Sequence, residues 1–204
     1  MLLASDLACE RGGRTLFSGL NFSLKRGSLL HVQGANGSGK TSLLRLLCRL
    51  STPVAGKISW DGEDVRELRE EYSAQITYIG HQPAIKDELN VLENLQTAQM
   101  LAGQPVERDQ ALHALGLLGI KKYAHLPARV LSQGQKRRVA LARLWLSSTP
   151  LWVLDEPFNA LDAEATNLLQ QRIENHLDDG GMAVLTTHQT PSIAVHRVNL
   201  LVLA

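Results

Sequence analysis

Short apolar runs broken by turn residues alternate with stretches whose apolar positions recur every three or four residues. That alternation predicts an α/β chain. Strands are expected at Leu2–Cys9, Leu20–Leu24, Leu29–Gln33, Lys57–Trp60, Ile76–Ile79, Leu151–Leu154, Ala183–Thr187 and Asn199–Leu203, with turns at Arg26-Gly27 and Asp61-Gly62. Between Val91 and Ser148 the strand pattern stops, and Val91, Leu92, Leu95 and Ala98, then Leu112, Leu115 and Leu118, fall at helical spacing. This predicts a helical subdomain over about residues 89–149, inserted into a core of 1–88 and 150–204. Its exit helix runs from about Gln135 to Leu146, and another helix, Asp162–His176, turns Leu168, Leu169 and Ile173 inward.

Composition narrows the class. The 204 residues fit one domain, and 44% hydrophobic with 20% charged residues supply a core and exclude a disordered, collagenous or disulfide-built chain. No apolar run reaches the roughly 18 residues that a membrane span requires, and the start through Asp6 and Glu10 lacks a basic-then-apolar leader. The chain is therefore expected to stay in the cytoplasm with no membrane domain of its own. Cys9 and Cys48 stand apart without metal or redox spacing and are expected to be reduced core thiols. The net charge of +1 conceals a reversal: Lys121, Lys122, Arg129, Lys136, Arg137, Arg138 and Arg143 lie in a stretch without Asp or Glu, and acidic residues dominate from Asp155 to Gly181. Such a basic run could face a polyanion.

The chemistry begins at Gly34-Ala35-Asn36-Gly37-Ser38-Gly39-Lys40-Thr41, which fits G-x-x-x-x-G-K-[ST] between an expected strand and the helical run from Ser42. Its glycines let backbone N–H groups turn toward a β-phosphate at a positive helix end. Lys40 reaches the β and γ oxygens, and the Thr41 hydroxyl ligates Mg²⁺. A second element, Leu151-Trp152-Val153-Leu154, ends in Asp155 and Glu156. Adjacent carboxylates at a buried strand end call for a cation, with Asp155 in the Mg²⁺ shell opposite Thr41 and Glu156 orienting or deprotonating the attacking water. ATP with Mg²⁺ is the expected ligand.

Leu131-Ser132-Gln133-Gly134-Gln135 then resembles the L-S-G-G-Q signature of the ATP-binding-cassette (ABC) ATPases. The resemblance covers essentially the whole chain and implies a P-loop fold of ABC type, with an antiparallel β subdomain and an inserted helical subdomain. It makes Gln82 the glutamine that follows a strand, joins the metal site and links the γ-phosphate to a membrane partner. Asn159-Ala160-Leu161-Asp162 becomes the loop after the acidic pair, and His188 the switch histidine beside Glu156. Ser42 and Arg11 join the nucleotide contacts. Ser132, Gln133, Gly134, Gln135 and Asp162 would engage the nucleotide of a second copy in an ATP-induced homodimer. Ser132 and Gln135 stand in capping-box relation at that helix start. The basic run is then expected to serve the dimer contact, so that salt weakens it. The stretch Gly80–Leu95, with Asp87, Glu88 and Glu93, would receive a helix of the membrane subunits.

Cys9-Glu10-Arg11, Ile79-Gly80-His81-Gln82-Pro83, Arg137 to Leu146 and Thr186-Thr187-His188-Gln189 are similar to the cassettes of bacterial cytochrome c maturation. This implies ATP hydrolysis on the cytoplasmic face of the inner membrane. The implied partners are integral membrane subunits of the cytochrome c maturation complex and, indirectly, a periplasmic haem chaperone. The work would be haem export or release of the loaded chaperone. No haem-attachment motif occurs and the seven histidines are scattered, so no direct haem binding is expected, nor direct nucleic-acid binding. Cassettes for a lipid, peptide or drug, and soluble cassettes acting on nucleic acid, remain alternatives. Glu156 and His188 argue against a mere ATP sensor.

Three positions depart from the family pattern. Gln133 replaces a glycine, Asn159 a small residue, and Arg11 the ring that stacks on adenine. A guanidinium can also stack on a base. Relaxed base use follows: GTP should displace ATP in a competition binding assay, and a site indifferent to GTP at concentrations where ATP saturates contradicts the reading.

Overall fold

The computed structural model describes residues 1–187 and 193–203. The chain folds as two compact units. The first combines Met1–Tyr78, Thr149–Glu156 and the residues from Ile173 onward, and the second combines Ile79–Ser148 with Pro157–Arg172.

The first unit holds two sheets. In the antiparallel sheet, β1 (Leu2–Arg11) pairs with β2 (Arg14–Leu24) across the Gly12-Gly13 turn and, on its other side, with β4 (Ala55–Trp60), which pairs with the two-residue β5 (Glu63–Asp64). The other sheet has the order β6-β7-β8-β3-β9, from β6 (Ile76–Ile79), β7 (Leu151–Asp155), β8 (Met182–Thr186), β3 (Leu29–Gly34) and β9 (Val198–Leu203). β3 runs parallel to β8 and β9, and β7 runs parallel to β8. Every residue of β7 and β8 is buried, as expected where a parallel sheet is covered on both faces. Helix α1 (Lys40–Leu47) buries Leu43, Leu44, Leu46 and Leu47 among Leu30, Val32, Val153 and Val184. Two four-residue helices, α2 (Val65–Leu68) and α3 (Glu70–Ser73), follow β5. Tyr72 is fully buried beside Trp60, donates its hydroxyl to the Leu47 carbonyl at 2.8 Å, and has its phenol pKa pushed up by burial.

The second unit is helical: α4 (Val91–Leu101), α5 (Arg108–Leu117) and α6 (Gln133–Leu146). Val91, Leu92, Leu95, Ala111, Ala114, Leu115, Val139 and Leu141 form its interior. The α4 start is closed by a capping box between Asn90 and Glu93. Buried Asn94 accepts the Lys86 N–H at 2.7 Å and donates to the carbonyls of Lys86, Leu89 and Asn90, pinning the loop before the helix. The last helix, α7 (Ala163–Asp178), begins in the second unit and ends in the first, with Ala165, Leu169, Ile173 and Leu177 on its buried stripe.

All eight predicted strands are present, with shifted ends. β2 starts at Arg14 rather than Leu20, because its first half is mostly polar and is held as a strand by pairing with β1. Units of two to four residues, such as β5, α2 and α3, are too short to carry a periodicity. The second unit opens at Ile79 and takes in residues 157–172, whereas the expected insertion was 89–149. Long-range bonds explain the difference: Arg172 Nε donates to the Leu144 carbonyl at 3.1 Å, and Arg138 pairs with Asp162. Both cysteines are free, and burial raises both thiol pKa values, in line with unreactive core thiols. Among the described residues no helix is long and apolar enough to cross a membrane.

One packing detail is open to test. The His176 ring stacks on Trp152 of β7 with centroids 3.8 Å apart and planes within 1° of parallel, and its Nε2 lies 3.1 Å from the Met182 carbonyl. A Cβ at Gly181 would meet that ring at 2.3 Å. Backed by Trp152, the ring has no room to retreat. Gly181→Ala should lower stability by about 1–3 kcal/mol, the usual penalty of overpacking, read as a reduced urea midpoint at unchanged slope.

Candidate functional site

The phosphate loop leaves the carboxyl end of β3 and enters α1, the geometry in which backbone N–H groups and the helix dipole converge on an anion. Ala35, Asn36 and Gly37 are exposed at its crest, while Ser38 and Gly39 are buried beneath. Ser38 Oγ is buried and has no hydrogen-bond partner among the described residues. Lys40 folds over the loop, with Nζ donating to the carbonyls of Gly34 at 2.8 Å and Ala35 at 3.1 Å. An ammonium held by carbonyls of its own loop, beside an unpartnered buried hydroxyl, is a donor set suited to phosphate oxygens. Ser42 lies half-buried in the first turn of α1, and Arg11 is exposed at the end of β1.

Parallel register then sets the acidic pair beside the loop. Thr186 stands opposite Val32 of β3 on one side and Asp155 of β7 on the other. Asp155 and Glu156 are 2% and 8% exposed. Thr41 Oγ1 donates to Asp155 Oδ2 at 2.8 Å, while Thr186 Oγ1 donates to Asp155 Oδ1 at 2.8 Å and accepts the Glu156 N–H at 2.9 Å. Thr41, Asp155 and Glu156, predicted from two separate motifs, are thus drawn into one hydrogen-bonded group. A carboxylate and a hydroxyl oxygen are hard ligands of the kind that Mg²⁺ selects, so the residues present fit that ion. Glu156 holds φ +49°, a left-handed backbone uncommon for a non-glycine residue. His188 lies outside the described residues.

The second unit assembles the other predicted group. Ser132 caps α6: its hydroxyl accepts the Gln135 N–H at 3.2 Å, and the Gln135 side chain accepts the Ser132 N–H at 2.8 Å, the expected capping box. Gln133 is the exposed first residue of the helix. Ser132, Gly134 and Gln135 line an open hollow of about 470 Å³ together with Tyr123, Arg138 and Asp162. Asp162 accepts the Ala165 N–H at 2.9 Å and pairs with Arg138, which also donates to the Leu118 carbonyl. The Ala165 N–H first, and the Arg138 guanidinium second, hold the Asp162 carboxyl below the usual carboxylate range.

A family profile described as "ABC transporter" matches residues 17–159, more than half of the chain. The chain belongs to the ABC transporter family. Its enzymatic activity is hydrolysis of ATP. It is 52% identical to the "Cytochrome c biogenesis ATP-binding export protein CcmA" of Nitrosomonas europaea over all of this chain and 96% of that protein. The protein of the same name from Escherichia coli K12 is 46% identical over 97% of this chain and 94% of its own length. Among solved structures, an "ATP binding subunit of ABC transporter" superposes with TM-score 0.81 at 27% identity, covering 92% of this chain and 79% of that one. The ATP-binding cassette MJ0796 bound to ADP and Pi, a dimeric structure, shares the fold at TM-score 0.81 and 24% identity, over 93% of this chain and 88% of that one.

In this cassette the basic run is not one face. Arg137 is buried and donates to the carbonyls of Gly80 and His81, immediately before Gln82; Arg138 holds Asp162; Lys136 pairs with Asp87; Arg143 is half-buried, with its guanidinium pKa lowered by desolvation. Only Lys121, Lys122 and Arg129 of the seven remain exposed. Successive residues of a helix point about 100° apart, so adjacent arginines reach different loops, a division invisible in a count of charges. The acidic stretch is likewise largely engaged within the unit, because Asp87 pairs with Lys136 and Glu93 accepts the Asn90 N–H. Arg137 and Arg138 were missed as site residues, although their position one turn past the signature was the available signal.

Gly134 is constrained by this chain's own backbone. A Cβ there would lie 2.8 Å from the carbonyl of Ala160, itself left-handed at φ +61°. Gly134→Ala must push residues 159–162 away from the α6 start. Turnover of ATP should fall between about tenfold and a hundredfold, as for a catalytic element displaced by about an ångström, with ATP affinity little changed because the phosphate loop is untouched. Steady-state hydrolysis set beside equilibrium nucleotide binding checks it.

Proposed function

We propose that this cassette is the ATP-hydrolysing subunit of an ABC exporter for cytochrome c biogenesis, peripheral on the cytoplasmic face of the inner membrane. It works with integral membrane subunits of the cytochrome c maturation complex to export haem or to release the haem-loaded periplasmic chaperone. The observation that carries this reading is near full-length identity of 46–52% to proteins named for that role. These relatives do not favour another cargo or nucleic acid.

ATP lies along Gly34 to Thr41, with Arg11 beside its base and Ser42 in the first helical turn. Lys40 exchanges loop carbonyls for phosphate oxygens, and Ser38 Oγ adds a donor. Thr41, Asp155 and Gln82 would hold Mg²⁺, which supplies neutralisation of the charge on the transferring phosphoryl group. Glu156 takes the proton of the attacking water, with His188 assisting. Ser132, Gln133, Gly134 and Gln135, at a positive helix end, and Asp162 close on the nucleotide of a second copy, so each of two sites is built from both chains. Gln82 reports the state of the γ-phosphate to the membrane subunits, since the loop that bears it is anchored on Arg137 of the signature helix.

Two variants separate binding from hydrolysis. Lys40→Ala should weaken ATP binding at least about tenfold through loss of charge-assisted bonds to phosphate. Glu156→Gln should bind ATP normally, lower turnover by about 10² to 10⁴ as for loss of a general base, and accumulate as a closed dimer in size-exclusion chromatography. In cells lacking the gene, a haem stain should show no holo-cytochromes c, restored by the wild-type chain but not by Lys40→Ala. Holo-cytochromes that persist without the gene overturn the cytochrome c assignment.

A further inference from the structure

Thr186 is fully buried at the end of β8, and neither the phosphate-loop motif nor the acidic pair includes it. Its one hydroxyl serves both carboxylate residues: it donates to Asp155 Oδ1 and accepts the backbone N–H of Glu156. The opposite oxygen of Asp155 receives Thr41 from the phosphate loop. We propose that Thr186 is the positioning residue of the hydrolytic site: its hydroxyl fixes the rotation of the Asp155 carboxylate and the left-handed backbone that aims Glu156.

A carboxylate with Thr41 on one oxygen and Thr186 on the other is held at both ends, so its plane cannot turn without breaking a hydrogen bond. The adjacent Glu156 leaves the strand at φ +49°, a conformation that persists only where the surroundings enforce it. An acceptor for its N–H, supplied by a side chain on the strand next to the one that leads into the phosphate loop, is such an enforcement. Because Thr186 is opposite Asp155 in the parallel register, the β-branched residue also keeps its rotamer under packing from both faces. A valine of the same shape would keep that packing and lose both hydrogen bonds; a serine would keep both bonds.

The inference rests on the roles proposed for Asp155 and Glu156, and the test distinguishes the two. Steady-state hydrolysis and ATP affinity, with Mg²⁺ and with EDTA, are measured on the full chain carrying Thr186→Val, Thr186→Ser or Glu156→Gln, and on the Val and Gln double variant. Expected are a loss of turnover of at least about tenfold for Thr186→Val with ATP affinity in EDTA unchanged, and turnover by Thr186→Ser within about threefold of wild type. The gain in ATP affinity on adding Mg²⁺ should shrink in Thr186→Val. In the Glu156→Gln background Thr186→Val should cost less than it does alone, since the group it aims is already disabled. Wild-type turnover by Thr186→Val, failure of Thr186→Ser to do better, or an undiminished cost in the double variant overturns the proposal. Normal turnover by Glu156→Gln removes the site assignment itself and this inference with it. Should Thr186→Val not fold, Thr186→Ala, which adds no bulk, is read the same way.

Discussion

The parallel pairing of β3, β8 and β7 is the constraint from which the first unit's chemistry follows. Parallel strands end at the same edge, so Gly34, Thr186 and Asp155 finish together although they are far apart in the chain. At that edge Thr41, from the first turn after the phosphate loop, bonds to Asp155, which bonds to Thr186, which receives Glu156. Were β7 shifted by one residue, Asp155 would turn to the opposite face and the chain of bonds would be lost. The buried runs Leu151–Leu154 and Met182–Leu185 hold the register by having no face they could turn to water.

In the second unit one helix takes the corresponding part. The N-terminal end of α6 presents Ser132, Gly134 and Gln135, and its next turn sends Arg137 to the loop before Gln82 and Arg138 to Asp162. Three segments with separate tasks are thus fastened to a single rigid element. The close seat of Ala160 against Gly134 shows why a glycine persists at that position while its neighbour is Gln133. The helix start has to admit a backbone carbonyl there, and no side chain leaves room for it.

Much of the fold was legible because its signals are local. Eight apolar runs, a glycine-rich loop between strand and helix, and a capping pair at Ser132 and Gln135 each declare themselves within a few residues. The phosphate loop, the acidic pair and the signature could be located for the same reason. The basic run misled because charge was counted along the chain, whereas a helix distributes neighbours around its axis; four of those side chains are spent inside the unit, on Gly80, Asp87, Asp162 and partial burial. The outer half of β2 and the short elements β5, α2 and α3 were missed because pairing and packing, not their own pattern, hold them.

By itself the sequence determined the class of chemistry: a phosphate cradle, a pair of carboxylates after an apolar strand, and a signature helix, each with its residues in place. Tertiary structure decided which atoms meet. It joined Thr41 to Asp155 across 114 positions, recruited Thr186 from outside the phosphate loop and the acidic pair, and assigned Arg137 and Arg138 to different loops. The physical reason is that propensity and motif spacing act over a turn or two, while strand register and helix packing fix contacts between residues that the chain separates by 24 to 114 positions.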